Sequence, residues 1–258
     1  MKKARLDVMM VDRELAPSRE RARALILAGQ VRVDGQVVSK AGASIDATAT
    51  ITLQVPDHPW VGRGGVKLAH ALETFQVNVA GKRALDIGSS TGGFTDVLLH
   101  NGAEHVTAVD VGHGQLDWKL RTNPRVLVLE GLNARGLSRA HIPHLVDLIV
   151  IDVAFISLRH IFPALPPLLS PHADVIALVK PQFEAGRREV GKGGIVSDPA
   201  VHEAVLQRVT AEADAAGFAR LAMTPSPIPG ATGNREFFLH LRSDRTPGTP
   251  SAEASTLG

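Results

Sequence analysis

The chain has no cysteine in 258 residues. That excludes disulfides, thiolate metal sites and a cysteine nucleophile. Long apolar runs are also missing: none approaches the roughly 18 residues that a membrane-spanning helix requires. The N-terminus, Met1-Lys2-Lys3-Ala4-Arg5-Leu6-Asp7, starts positive but has no uninterrupted apolar core behind it. No secretory signal is therefore expected, and the expected compartment is the cytoplasm. Net charge is small, +2, in a composition that is 44% hydrophobic and 21% charged. Those values are ordinary for a globular protein, and the length suits one large domain and a small one. The charge is unevenly spread, because residues 1–32 carry eight Lys or Arg against four Asp or Glu. A basic head can bind polyanions. A solvated helix face is the plainer account of the same charges.

Residues 5–55 read as a small α+β unit. Arg5–Val11 begins a helical pattern, and Ser18 is placed to cap a second helix in which Ala22, Leu25, Ile26 and Gly29 share one face. Arg19 and Arg23 lie one turn apart on one flank of that face, with Arg21 on the other. Residues 31–38 predict a hairpin around Asp34-Gly35, and Thr48–Val55 predicts a further strand. Residues 56–62 read as a linker stiffened by Pro56 and Pro59. Trp60 there would pack one domain against the other or cap a core. From Lys82 to Leu241 strands and helices alternate, with near-continuous apolar strands. That pattern predicts an α/β fold: a mostly parallel, seven-stranded sheet with helices on both faces and an antiparallel pair, Phe218–Thr224 and Arg235–Leu241, at one edge. Ser157–Leu169 is expected to be helical despite Pro163, Pro166 and Pro167. The tail, 244–258, is Pro-, Ser-, Gly- and Thr-rich, a composition of disordered segments.

The stretch Asp86-Ile87-Gly88-Ser89-Ser90-Thr91-Gly92-Gly93-Phe94 has the order strand, tight turn, helix start. Glycines let a ligand approach the backbone, and a new helix offers free N–H groups. The turn lacks the Gly-Lys-Ser/Thr ending of a phosphate-binding loop and the G-x-G-x-x-G spacing of a dinucleotide site. Asp86 and Asp96 flank it with negative charge, which suits the sulfonium of S-adenosylmethionine better than a pyrophosphate. Asp110 and Val111 end the next strand, where an acid can bind ribose hydroxyls; a helix cap is the competing account of Asp110. Asn133 follows the third strand, where an adenine would sit.

Four polar residues stand where sheet ends meet loops: Lys67, Asp152, Lys180 and Glu236. A ribose hydroxyl is a poor nucleophile and must lose its proton near the moment of attack. A lysine serves as base only when neutral, a form that a nearby cation and partial burial favour. The expectation is that Lys180 is the general base, that Asp152 and Glu236 orient it, and that Lys67 holds substrate and favours the neutral form of Lys180. Taken singly, each is equally a strand-end ion pair. No histidine pair has convincing metal spacing, so no metal is expected. The Gly191–Gly194 loop with Lys192 is either a cover for substrate or a connector.

These residues carry a resemblance. S-R-E-R-A-R-A-L-I-L-A-G-Q-V-R-V-D-G in 5–55 resembles an S-four-like RNA-binding domain. Residues 60–242 resemble an FtsJ-type ribose methyltransferase. W-V-G-R-G-G-V-K-L, D-I-G-S-S-T-G-G-F-T, D-V-A-F-I-S-L, L-V-K-P-Q-F-E and G-N-R-E-F-F together are similar to the TlyA family, rRNA 2′-O-methyltransferases often labelled hemolysin A. The resemblance implies a class I, Rossmann-like methyltransferase domain over 63–243, S-adenosylmethionine as cofactor, and cytidine riboses of ribosomal RNA as targets. It implies a Lys-Asp-Lys-Glu tetrad on Lys67, Asp152, Lys180 and Glu236. The expected partners are ribosomal RNA and ribosomal subunits, with Arg5, Ser18, Arg19, Arg21, Arg23 and Arg63 as candidate RNA contacts and a monomer as the expected state. Two other classes stand beside it, a membrane-damaging protein and an RNA-binding protein without activity.

Overall fold

The computed structural model of the chain describes residues 3–27, 29–53 and 58–243. Residues 54–57 and 244–258 lie outside them, and with them the end of the expected strand 48–55, part of the linker and the tail. The chain divides into two units, Met1–Pro59 and Trp60–Gly258.

The first unit contains β1 (Lys3–Arg5), α1 (Leu6–Asp12), α2 (Arg19–Leu27), β2 (Val31–Val33), β3 (Gln36–Val37), β4 (Ser44–Asp46) and β5 (Ile51–Leu53). Ala22, Leu25 and Ile26 of α2 are buried with Leu6, Met9 and Met10 of α1, the face that the 3.6-residue period marks. The hairpin turns at Asp34 and Gly35, with φ +49° and +83°, the left-handed pair that matches strand twist. Two expectations change. Strand β5 begins at Ile51 and not at Thr48, because Thr48 is drawn into a turn by two hydrogen bonds to Asp46. The strands also form two sheets, β3-β2-β5 and a separate antiparallel β1-β4 pair.

The second unit runs α3 (Gly64–Phe75), β6 (Arg83–Ile87), α4 (Gly93–His100), β7 (His105–Asp110), α5 (Trp118–Arg121), β8 (Val126–Glu130), β9 (Val146–Ile151), β10 (Leu169–Val179), α6 (Pro181–Glu184), α7 (Pro199–Ala215), β11 (Phe218–Pro225) and β12 (Phe237–Ser243). The seven strands lie in the order β11-β12-β10-β9-β6-β7-β8. Only β12 is antiparallel to its neighbours. Alternate residues of β9 enter opposite cores: Ile149 and Ile151 on one face, Leu148 and Val150 on the other. Helices α3 and α4 cover the second face, through Leu68, Leu72, Val97 and Leu98. Helix α7 covers the first through Val205 and Val209.

The expected helix 157–169 is instead three 3-10 turns, Leu158–His160, Phe162–Ala164 and Pro166–Leu168. Proline removes a backbone donor and clashes with the preceding turn, so an α-helix cannot run through. The apolar residues still reach the core, with Leu158, Phe162, Leu165 and Leu168 all buried. Trp60 belongs to the second unit. It packs on the α3–α4 core, meets the His100 ring edge-on at 5.1 Å, and fills the space a side chain at Gly65 would need.

Asp174 of β10 is buried between cations. It accepts hydrogen bonds from Lys82 Nζ (2.9 Å), His240 Nε2 (2.9 Å) and Arg242 (2.8 Å). Burial opposes its charge, but these bonds outweigh burial and hold the carboxyl below the usual range. A depressed acid stabilises the fold above its unfolded pKa and loses that contribution as pH falls. Asp174→Asn is expected to destabilise the protein by about 2 kcal/mol at pH 7, the scale of a half-buried charge pair that loses one partner. The deficit should shrink toward pH 3; denaturant unfolding at both pH values measures it.

Candidate active site

In an open parallel sheet, ligands bind outside the carboxyl ends of strands where the strand order reverses. Here the reversal lies at β6, which pairs with β7 on one side and β9 on the other. The ends of β6 and β9 are tied directly, since Asp152 N donates to Ile87 O at 2.9 Å. Gly88 follows at φ +86°, and a Cβ there would collide with the Asp152 carbonyl. Only glycine meets both conditions.

The turn residues divide by what they touch. Gly88 and Ser89 both donate their N–H to Val109 O, at 2.8 and 3.1 Å. Ser90, at φ +48°, donates its N–H to Asp110 Oδ2 at 2.8 Å. Gly112 N donates to Asp110 Oδ1 at 2.7 Å. Asp110 is thus braced by amides from two loops, and each oxygen keeps a lone pair for a ligand. Thr91 is exposed, and Gly92 at φ +98° starts α4 where Leu116 and Leu120 leave no room for a side chain. At Gly93 the backbone of α4 approaches that of α3, a Cβ meeting Gly65 N at 2.8 Å. Phe94 departs from its expected place at the cofactor: its side chain is buried in the core beside Phe238. Val111 is 69% exposed. Asn133 uses its side-chain oxygen to cap the 3-10 turn at Ala134–Gly136.

Asp86 lies under the turn, fully buried. Oδ2 accepts from Thr95 Oγ1 at 2.6 Å and Oδ1 has no partner. Burial, with Asp152 and Asp110 nearby, pushes its carboxyl up to about 7. Asp96 is partly neutralised by Lys119 at 3.3 Å and also accepts from Val61 N. The donor set suits a cation. Asp86, Asp110, Glu130 and Asp152 surround the turn with acid, and no lysine or arginine stands in it to meet a pyrophosphate.

The four expected catalytic residues form two ion pairs. Lys67 Nζ on α3 donates to Glu236 Oε2 at 2.6 Å, both side chains being buried. Lys180 Nζ, between β10 and α6, lies 2.5 Å from Asp152 Oδ1 in an ion pair without hydrogen-bond angles. Glu236 is thus bonded to Lys67, and Lys180 is paired with Asp152. The pairs are linked through the start of α3: a Cβ at Gly64 would lie 3.8 Å from Asp152 Oδ2. Arg63, one residue earlier, donates to Pro229 O at 3.2 Å. Buried Asn234 bonds Gly194 O and Val196 N, so the 191–194 loop is anchored beside Glu236.

One site residue escaped the sequence reading. Phe155, in the loop after Asp152, is 91% exposed at φ +63°. Its ring lies 5.0 Å from that of Phe183, which follows Lys180. A bulky residue in the left-handed region, facing water, is strain of the kind found at binding sites. Its only sequence signal was an aromatic three residues past a strand-end acid.

Of the expected RNA contacts, Ser18 Oγ caps α2 by accepting from Arg21 N at 3.2 Å. Arg5 and Arg19 both bind Asp7, and Arg21 donates to His58 O at 3.1 Å. Arg23 is exposed and forms no ion pair with another described residue.

A raised acid destabilises the fold once ionised. Asp86 should therefore lower stability progressively from about pH 4 to about pH 7 in the ligand-free protein. Asp86→Asn is expected to remove that slope, so its stability relative to wild type should rise with pH over this interval. Chemical denaturation of both proteins from pH 4.5 to 8 tests this; parallel curves would mean that Asp86 stays in one protonation state.

Residues 60–243 match the FtsJ-like methyltransferase family and residues 4–51 the S4 domain. The 16S/23S rRNA (cytidine-2′-O)-methyltransferase TlyA of Mycobacterium tuberculosis is 49% identical, over 94% of this chain and 91% of its own length. Hemolysin A of Brachyspira hyodysenteriae is 40% identical over 92% and 99%. A solved structure of a hemolysin-named protein from Streptococcus thermophilus superposes with a TM-score of 0.75 at 44% identity, covering 95% of this chain and 90% of that one. The chain belongs to the TlyA family, FtsJ-like methyltransferases that carry an S4 domain.

Proposed function

We propose that the chain transfers a methyl group from S-adenosylmethionine to the 2′-hydroxyl of cytidine riboses in ribosomal RNA. The observation that carries this reading is the pair of lysine–carboxylate contacts, Lys67–Glu236 and Lys180–Asp152, beside a glycine turn too tight for any side chain at position 88. When bound, S-adenosylmethionine supplies an electrophilic methyl group on a positively charged sulfur. Asp110 holds its ribose hydroxyls, and the acids around the turn complement its charge. The named targets of the M. tuberculosis relative are 16S and 23S rRNA, which supports ribosomal RNA as the substrate and the cytoplasm as the place of action.

The side chains divide the work. Once Lys180 has given up its proton to water, its nitrogen accepts the proton of the 2′-hydroxyl as the oxygen bonds the methyl carbon and the methyl–sulfur bond breaks, the sulfur keeping that electron pair. The lysine leaves that step as an ammonium, opposite Asp152, so the developing positive charge is met where it forms. Lys67 keeps donors after its bond to Glu236 and uses them to hold the ribose. Phe155 and Phe183 offer a stacking surface for a base, the usual means by which proteins hold unpaired nucleotides. The S4 unit supplies affinity for phosphates, which positions without reading sequence.

Lys180→Ala is expected to reduce methyl transfer by about 10²–10⁴-fold, the usual contribution of general base catalysis. S-adenosylmethionine binding by calorimetry should stay within about twofold. Lys180→Arg keeps the charge opposite Asp152 but cannot give up its proton, so it should be equally inactive. Transfer retained by either variant would take the base role from Lys180. Changing Arg19 and Arg23 together to Ala should weaken binding to ribosomal subunits and leave cofactor binding intact; equal loss of both would mean a folding defect. Phe155→Ala should raise the KM for RNA several-fold while the cofactor affinity holds, since stacking contributes about 1–3 kcal/mol per base.

A further inference from the structure

Asp7 is an unusual residue for a small basic unit. It stands in the first turn of α1, is fully buried, and belongs to no hydrophobic face. Arg5 grips it with two parallel hydrogen bonds, Nε to Oδ1 and an outer nitrogen to Oδ2, both 2.9 Å. Arg19, from the start of α2, adds a third at 3.2 Å to Oδ2. Burial works against this carboxylate, yet the two guanidiniums hold it well below the usual range, the Arg5 bonds being the larger cause.

The arginines are not used up by the contact. A guanidinium carries five N–H donors; Arg5 gives two to Asp7 and Arg19 gives one. Their side chains remain 53% and 59% exposed. Gly42 lies against the Arg5 guanidinium, where a Cβ would stand 3.4–3.6 Å from both outer nitrogens and the central carbon. Two cations against one anion leave a net positive site whose parts come from different elements and are fixed by one hidden atom pair. A buried ion pair is a weak source of stability on its own, and one arginine would have matched the charge.

We propose that Asp7 is a positioning residue for RNA: it sets the spacing and direction of Arg5 and Arg19 so that their outer edges clasp one phosphodiester group. Arg23, one turn further along α2, continues the cationic face without taking part in the clamp. This deepens the RNA-binding reading of the S4 unit and rests on it. The affinity gained comes from order already present before binding, since long arginine side chains otherwise lose rotamer freedom when they engage a phosphate.

The sign of one substitution tests it. Asp7→Asn keeps the shape and raises the positive charge of the unit by one. If only charge attracts RNA, the variant binds more tightly. If Asp7 positions the clamp, it binds about tenfold more weakly despite the added charge. The measurement is equilibrium binding of the full chain to purified small and large ribosomal subunits at fixed salt, with calorimetric S-adenosylmethionine binding as the check on the second unit. The same substitution is also made in an Arg5→Ala, Arg19→Ala background. There Asp7→Asn should change RNA affinity less than twofold, and circular dichroism of Asp7→Asn itself reads whether the unit has kept its fold. Equal or tighter binding by Asp7→Asn, or an undiminished loss in the double-alanine background, overturns the proposal. If the double-alanine protein itself binds subunits as well as wild type, the RNA-binding reading of the unit fails instead.

Discussion

The catalytic unit depends on how closely β6 and β9 run at their carboxyl ends. Asp152 N is bonded to Ile87 O, and the next residue on the β6 side must be glycine because the Asp152 carbonyl occupies the place of its Cβ. This contact fixes the glycine turn and the Asp152 side chain as one object. Where the glycine turn goes, the Asp152 carboxylate goes with it. A ligand seated on the turn therefore lies beside Asp152 and Lys180 without any loop having to find them. Methyl transfer between two bound partners gains most from such fixed proximity. A similar approach at Gly93, where α4 meets the backbone of α3, carries Lys67 into the same arrangement.

The electrostatics follow from that compactness. Four acids surround the turn, and they are kept apart in state by their partners. Asp152 faces Lys180, Glu130 faces Arg121, and Asp110 is held by two amides. Asp86 has no cation beside it and is fully buried, and its carboxyl rises to about 7. A neutral acid beneath the turn avoids stacking another full negative charge behind Asp110 and Asp152. Pairing each lysine with its own carboxylate has a parallel effect: neither cation is left buried alone, a state that would be far more costly than the pair itself.

The architecture was legible from periodicity. Alternating strands and helices, the turn after β6 and the antiparallel return through β12 all leave their mark in the order of apolar residues and glycines. The helix expected over 157–169 failed because apolar spacing there signals burial, and burial does not require α-helix. Pro163, Pro166 and Pro167 break the backbone ladder while Phe162 and Leu165 still reach the core. Phe94 shows the related point that a motif names a position, not the direction of its side chain, which here enters the core. Lys67, Asp152, Lys180 and Glu236 were singled out because they stand where sheet ends and helix starts meet loops, yet their pairing was not visible: Lys67 and Glu236 are 169 positions apart, and only the fold brings them together. Phe155 was passed over because exposure and a left-handed backbone leave almost no trace in composition.

Three buried aspartates show how far local partners decide what one residue type does. Asp174 meets a lysine, an arginine and a histidine and remains charged as a strut between β10 and β12. Asp86 meets a hydroxyl and leans toward the neutral form. Asp7 meets two arginines whose far sides face water. In the first case every partner serves the sheet, and in the second the acid serves the turn above it. In the third the buried group is smaller than the surface it arranges, so its influence is felt outward, at the exposed edges of Arg5 and Arg19. Counting charges on the basic head cannot reveal this, because Asp7 enters such a count with the wrong sign.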